Sequence, residues 1–280
     1  MSIPSAIRSR VEAILDELEA ENAVSVLYAC ESGSRAWGFA SKDSDFDVRF
    51  LYVHPPRWYL SVDLEEKRDV VERPIEGELD VNGWDLRKAL RLFRRSNPPL
   101  LEWLGSPIVY REPFSTTERM RKLALRYYSP TACAYHYLHM ARGNFREFLR
   151  GEQVRRKKYL YVLRPLLAIR WIEMDLGVIP TPFEILVNRT VSSEPLRAAI
   201  EELLEEKKRG SERDRGPRID AISTFVESEL ARLENSRFDK KPALAPPAEL
   251  NQLFREALEE VFGISSVPSG PSPTGVGANV

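Results

Sequence analysis

The run Asp45-Phe46-Asp47-Val48-Arg49-Phe50 decides how the rest of the chain is read. Its apolar positions alternate with the period of a β-strand, so Asp45 and Asp47 share one face while Phe46, Val48 and Phe50 point to the other. Side-by-side carboxylates repel, and a strand built only for packing rarely keeps them. A divalent cation removes the conflict, because Mg2+ prefers hard oxygen ligands, commonly one or two carboxylates with phosphate and water. With 42 acidic residues in the chain such a pair arises by chance, so its neighbourhood must carry the argument.

Upstream, Val24 to Cys30 is a short β-prone run that reads as a buried strand. It ends at Gly33-Ser34, a turn entering a short helix. Glycine lets backbone approach a phosphate closely, N–H groups that open a helix favour anions, and Ser34 adds a hydroxyl donor. The strand begun at Asp45 ends at His54-Pro55-Pro56, where proline removes the ladder donor. Phosphate donors and carboxylates are thereby expected at one end of adjacent strands. A two-metal phosphoryl-transfer site also needs a third carboxylate, from a neighbouring strand flanked by apolar residues. Leu79-Asp80-Val81 fits this, with Asp80 on one side and its neighbours on the core side. Asp85 is the competing acid, but it immediately precedes the helical spacing of Leu86, Ala89, Leu90 and Phe93 and reads as an N-cap.

Further out, a helix is expected over 4–21, strands at 69–72 and 78–81, a short helix at 100–104 and an edge strand at 107–110. Beyond about residue 115 strand signals almost vanish. Helical periodicity recurs at 116–127, 131–149, 154–176, 194–208, 219–233 and 248–262, with a charged loop at 209–218. The expected fold class is α+β or α/β, a mixed sheet of four or five strands with flanking helices, followed by an all-α domain. The expected division is a catalytic domain over 1–114, a helical domain over 115–262, and a Pro/Gly/Ser-rich disordered tail over 263–280.

Composition sets outer limits. The formal net charge is −1 and the sequence pI about 6.4, so a nucleic-acid surface must be a local patch rather than a property of the whole chain. The first residues lack an apolar signal-peptide core, and no apolar run approaches the roughly 20 residues of a membrane span, so a cytoplasmic location with no membrane partner is expected. Cys30 and Cys133 have no metal-type spacing and read as buried free thiols.

Gly33-Ser34-Arg35-Ala36-x-Gly38, then Asp45-x-Asp47, then the apolar-flanked Asp80 resembles the nucleotidyltransferase core of the DNA polymerase beta superfamily. With Asn82-Gly83-Trp84-Asp85-Leu86-Arg87-Lys88, Ser96-Asn97-Pro98-Pro99-x-x-Glu102-Trp103-Leu104 and Lys157-Lys158-Tyr159-Leu160-Tyr161-x-x-Arg164-Pro165, the chain resembles, over about residues 22 to 175, the RlaP-type nucleotidyltransferases associated with RNA repair. The resemblance implies that Asp45, Asp47 and Asp80 bind two Mg2+ (or Mn2+) ions. It implies that Gly33 and Ser34, with Arg35, hold the triphosphate of a nucleoside triphosphate. An acceptor hydroxyl, expected on an RNA end, would attack the α-phosphorus and release pyrophosphate. A protein or small-molecule hydroxyl as acceptor, and a catalytically silent RNA-binding protein, remain open alternatives.

The most basic stretch lies between Arg142 and Arg170. Arg142, Arg146 and Arg150 line one helix face, and Lys157, Tyr161 and Arg164 another. Lys157, Lys158 and Arg164 are candidate triphosphate or RNA-backbone contacts, with a solvated helix face as the competing reading. His136 and His139 lack an acidic or thiol partner and read as ordinary helix histidines, and Trp37 and Trp84 as packing residues.

Overall fold

The strands of the main sheet are supplied by the first 111 residues. In chain order these residues form α1 (Ser5–Asn22), β1 (Ser25–Glu31), α2 (Gly33–Ala36), β2 (Phe46–Val53), α3 (Pro56–Tyr59), β3 (Val70–Glu72), β4 (Leu79–Asp85), α4 (Leu86–Phe93), α5 (Pro98–Leu104) and β5 (Val109–Arg111). There follow α6 (Thr116–Tyr127), α7 (Pro130–Phe148), β6 (Gln153–Arg155), α8 (Lys158–Glu173), α9 (Phe183–Thr190), α10 (Glu194–Lys208), β7 (Arg215–Pro217), α11 (Asp220–Arg232) and α12 (Ala248–Phe262). The computed structural model describes residues 3–75, 77–210, 215–234, 236, 238 and 244–263. The expected tail therefore lies, apart from Gly263, outside the described residues.

The five strands stand in the order β3-β4-β2-β1-β5, and every pairing is antiparallel except the parallel one between β2 and β4. The fold is the expected mixed sheet with flanking helices and a helical C-terminal region. Alternation along β2 divides the two faces. Phe46, Val48, Phe50 and Tyr52 pack with Leu79 and Val81 of β4 against Val11, Ile14, Leu15 and Leu18 of α1. Removing each such side chain from water contributes roughly 1.5–3 kcal/mol. On the opposite face β2 runs from Asp47 and Arg49 to Leu51 and Val53, so one strand passes from polar site to apolar core within a few residues. That core is continuous from Leu27 on β1 to Ala257 on α12, so residues on both sides of position 114 share it.

Strand β4 runs four residues past Val81, and within it Gly83 lies where the Phe50 ring fills the space a Cβ would occupy. Its end is fixed as the sequence suggests. The Asp85 carboxylate caps α4, accepting the Arg87 N–H at 2.8 Å, and also accepts the Tyr59 hydroxyl at 2.6 Å.

Two features of the helical half escape the sequence reading. A two-stranded antiparallel ribbon, β6 with the distant β7, occupies part of the expected helix from 154 and part of the expected loop. Three-residue strands rich in charge, glycine and proline carry no β signature. Helix α9 was likewise not expected. Both cysteines are free and buried. No helix among the described residues is long and apolar enough to cross a membrane.

Candidate active site

Glu31 ends β1, and the chain turns at once toward β2. The Ser32 N–H donates to the Asp47 carbonyl at 2.8 Å. Gly33 follows with φ +56°, its bare Cα against the Asp47 side chain, where any Cβ would overlap Asp47 Oδ2. Left-handed backbone and close approach both demand glycine at this position. Ser34, next along α2, is 7% exposed and faces the same space.

Arg35, expected among the triphosphate contacts, is placed at the turn before β2. Its guanidinium donates to the backbone carbonyls of Ser44 and Asp45 and stacks over the Phe46 ring at 3.6 Å, bracing the turn that leads into the acidic strand.

The parallel pairing of β2 and β4 sets Asp47 directly beside Asp80. Paired residues of a parallel ladder project to the same face, so Asp47 and Asp80 lie on one side of the sheet, and Asp45, just ahead of β2, lines the same cavity as Asp47. Between Asp47 and Asp80 sits Arg49. Its Nη2 donates to Asp47 Oδ1 at 3.0 Å and Asp80 Oδ2 at 2.7 Å, and its Nη1 to the carbonyls of Val48 and Asp80 at 3.0 and 2.9 Å. The three carboxylates expected on metal therefore stand with a guanidinium between two of them. Among the described residues no three His, Cys, Asp or Glu side chains come together as a ready-made metal site. The physical reason is the guanidinium that Asp47 and Asp80 share. Asp45 and Asp47 fit a single divalent cation, being adjacent hard oxygen donors beside the Gly33-Ser34 turn at one cavity. Burial raises the Asp47 pKa, Arg49 opposes the rise, and the Asp80 and Asp45 charges add to it.

The cavity, about 350 Å³, is lined by Ser34, Asp45 and Asp47 on one side and by Arg156, Lys157, Tyr161, Glu206 and Lys207 on the other. Of the basic candidates, Lys157 thus faces the acids. Lys158 lies over the Phe148 and Tyr161 rings, 4.5 and 4.8 Å from their centroids. Arg164 lies elsewhere. It is 1% exposed, pairs with Glu102 at 2.7 Å, covers the Trp37 ring and donates to the Thr181 carbonyl. Lys157 immediately precedes α8, whose N-terminal end with Tyr161 reaches the cavity while Arg164, further along, does not.

Sequence reading missed three residues. Lys207, near the end of α10, is half-buried against the Phe39 and Tyr161 rings, and burial together with the charges of Lys157 and Lys158 lowers its pKa to about 8. It had no signal, being one lysine among the glutamates and lysines of a charged helix. Arg49 was legible by carrying the alternation of Asp45 and Asp47 one step on. Glu31 is a charged residue closing an apolar strand. Fully buried, it accepts the Asp47 N–H at 2.9 Å and the Tyr110 hydroxyl, while burial raises its pKa to about 7. It fixes the backbone of Asp47 from below. Tyr110→Phe leaves one Glu31 oxygen without its donor, at an expected cost of about 1–3 kcal/mol in urea-denaturation stability.

Over residues 7–256 the chain matches the family described as RlaP, RNA repair pathway DNA polymerase beta family. A curated relative, "Uncharacterized protein YcgL" of Bacillus subtilis (strain 168), is 50% identical over 253 residues, covering 89% of this chain and 96% of the relative. Among solved structures, a nucleotidyltransferase-like protein from Exiguobacterium sibiricum 255-15 is 12% identical and covers 89% of this chain and 80% of its own, with a TM-score of 0.32. That last likeness is too slight to build on.

Proposed function

The chain belongs to the RNA repair pathway DNA polymerase beta family, a family of nucleotidyltransferases, and from that premise we propose that it transfers a nucleoside monophosphate from a nucleoside triphosphate to a hydroxyl on an RNA end. The observation that carries this is one cavity where Asp43, Asp45, Asp47 and Ser34 stand opposite Lys157, Lys207 and the Arg156–Glu206 ion pair. Carboxylates facing lysines across one cavity suit a substrate that binds through both a divalent metal and its own phosphates. A hydroxyl of the acceptor attacks the α-phosphorus in line, the bond from that phosphorus to the bridging oxygen breaks, and pyrophosphate departs. Such a reaction asks for positioning and charge neutralisation more than for a protein nucleophile.

Asp45 and Asp47 are the residues to hold a Mg2+ or Mn2+ ion, which when bound supplies positive charge against the triphosphate. Gly33 gives Asp47 its place, and Ser34 offers a hydroxyl to a phosphate oxygen. Lys157 and Lys207 face the phosphate chain across the cavity. Glu31, Arg35 and Arg49 touch no substrate and act through the strand they fix.

The test is incubation with radiolabelled nucleoside triphosphates and Mg2+, with RNA in one arm and protein lysate in the other. Label at RNA ends with matching pyrophosphate release is expected. Label on protein alone moves the acceptor to a side-chain hydroxyl. Lys207 gives a second measure. Lys207→Met should raise KM for the triphosphate by about tenfold, the scale of one charge-assisted hydrogen bond, with a smaller change in kcat. Since Lys207 loses its proton near pH 8, the wild-type KM should climb as pH passes that value, and the variant's should not.

A further inference from the structure

The same alternation that aligns Asp45 with Asp47 brings Arg49 to their face of the sheet, against Asp80 on the neighbouring strand. We infer that Arg49 is a permanent counter-ion standing where a second divalent cation would bridge Asp47 and Asp80, so that the protein binds one catalytic metal ion, at Asp45 and Asp47. The inference rests on the nucleotidyltransferase reading of this site.

Four observations carry it. The guanidinium is bonded to a carboxylate oxygen of each acid through a single nitrogen, so the space between the two acids is filled by a charged group. Its other nitrogen is tied to the carbonyls of Val48 and Asp80, which makes the side chain part of the sheet rather than a free arm. The planar guanidinium presents several donors in fixed geometry, which suits it to hold two carboxylates and two carbonyls at once. The acids, finally, are divided between two spaces. Asp45 and Asp47 line the cavity and Asp80 does not, while Asp47 gives Oδ1 to Arg49 and turns Oδ2 toward Gly33.

A second ion would have to evict a cation already hydrogen-bonded to both Asp47 and Asp80. Arg49 is thus a positioning residue for Asp47 and Asp80, with no contact to substrate.

The experiment is a Mn2+ titration of the full-length protein in the presence of α,β-methylene-ATP, followed by electron paramagnetic resonance and calorimetry. Wild type should bind one Mn2+ per chain with no metal–metal spin coupling, and Arg49→Met should admit a second, coupled ion between Asp47 and Asp80. A merely structural tie between β2 and β4 would not create that signal. Two coupled ions in the wild type overturn the inference and leave the nucleotidyltransferase reading standing. Should Arg49→Met fail to fold, Asp80→Asn decides: the single ion is expected to remain, and its loss overturns the inference. Failure of the wider reading looks different, as no Mn2+ bound at all, or full binding retained in Asp45→Asn, and takes the inference with it.

Discussion

Asp47→Asn should reduce nucleotidyl transfer by at least about a thousandfold, equivalent to several kcal/mol of lost charge stabilisation, while leaving the protein at least as stable as before. The loss follows from the place of Asp47 at the meeting of three demands. Its carboxylate is pressed against Gly33, bonded to Arg49 and open to the cavity, so an amide there keeps the shape and removes the charge. The gain or neutrality in stability follows from the raised pKa of Asp47. A carboxyl whose folded pKa stands above its unfolded value binds its proton more readily in the folded state. It therefore destabilises the fold progressively as pH rises from the ordinary value of 3.8 through the folded one. Asparagine never ionises, and the dependence of stability on pH through that window should flatten. Single-turnover assays with labelled nucleotide, beside thermal denaturation at several pH values, check both halves. A silent RNA-binding protein predicts unchanged RNA affinity and no activity to lose. Full turnover by Asp47→Asn would end the catalytic proposal.

How far the site was legible depended on which interactions are local. The strand carrying Asp45 and Asp47 declares itself by alternation, and the Gly33-Ser34 turn by residue type, because both are settled within a few residues. The Asp85 cap was readable for the same reason. That Asp80 stands beside Asp47 depends on the parallel register of β2 with β4, strands separated by an intervening segment that says nothing about their pairing. The place of Asp80 on the shared face could be anticipated, but not its capture by Arg49, since ion pairing across strands follows register. Lys207 lies still further from anything a linear reading reaches. A helix from the C-terminal half delivers it to a cavity opened by the N-terminal sheet. The basic stretch from Arg142 to Arg170 shows the same limit. Charge is legible along the chain but burial is not, and it is burial that separates Lys157 at the cavity from Arg164 in the core.

Arg164 supplies the largest expected effect on stability. Its guanidinium, 1% exposed, and the Glu102 carboxylate, 11% exposed, form an ion pair at 2.7 Å. Glu102 also accepts the Trp37 indole N–H at 3.0 Å and the Tyr137 hydroxyl at 2.9 Å. The cluster joins the loop after α2 to α5, α7 and α8, and so ties the turn beside the active site to the helical half. Arg164→Met fills comparable space but leaves the Glu102 charge buried with neutral donors only, and should cost about 3–5 kcal/mol in urea-denaturation stability. The remedy tests the cause. Adding Glu102→Gln removes the stranded charge, its amide oxygen accepting the Trp37 N–H and its NH2 donating to the Tyr137 hydroxyl, so the double variant should regain most of the loss. In assays held well below its melting temperature, Arg164→Met should show a KM for nucleoside triphosphate close to wild type, in contrast to Lys207→Met. If the KM instead rises alongside an unchanged denaturation midpoint, Arg164 contacts substrate and the role assigned to its pair with Glu102 is wrong. The two basic residues thus separate by measurement as they do by position, one in the wall of the cavity and the other in the frame behind it.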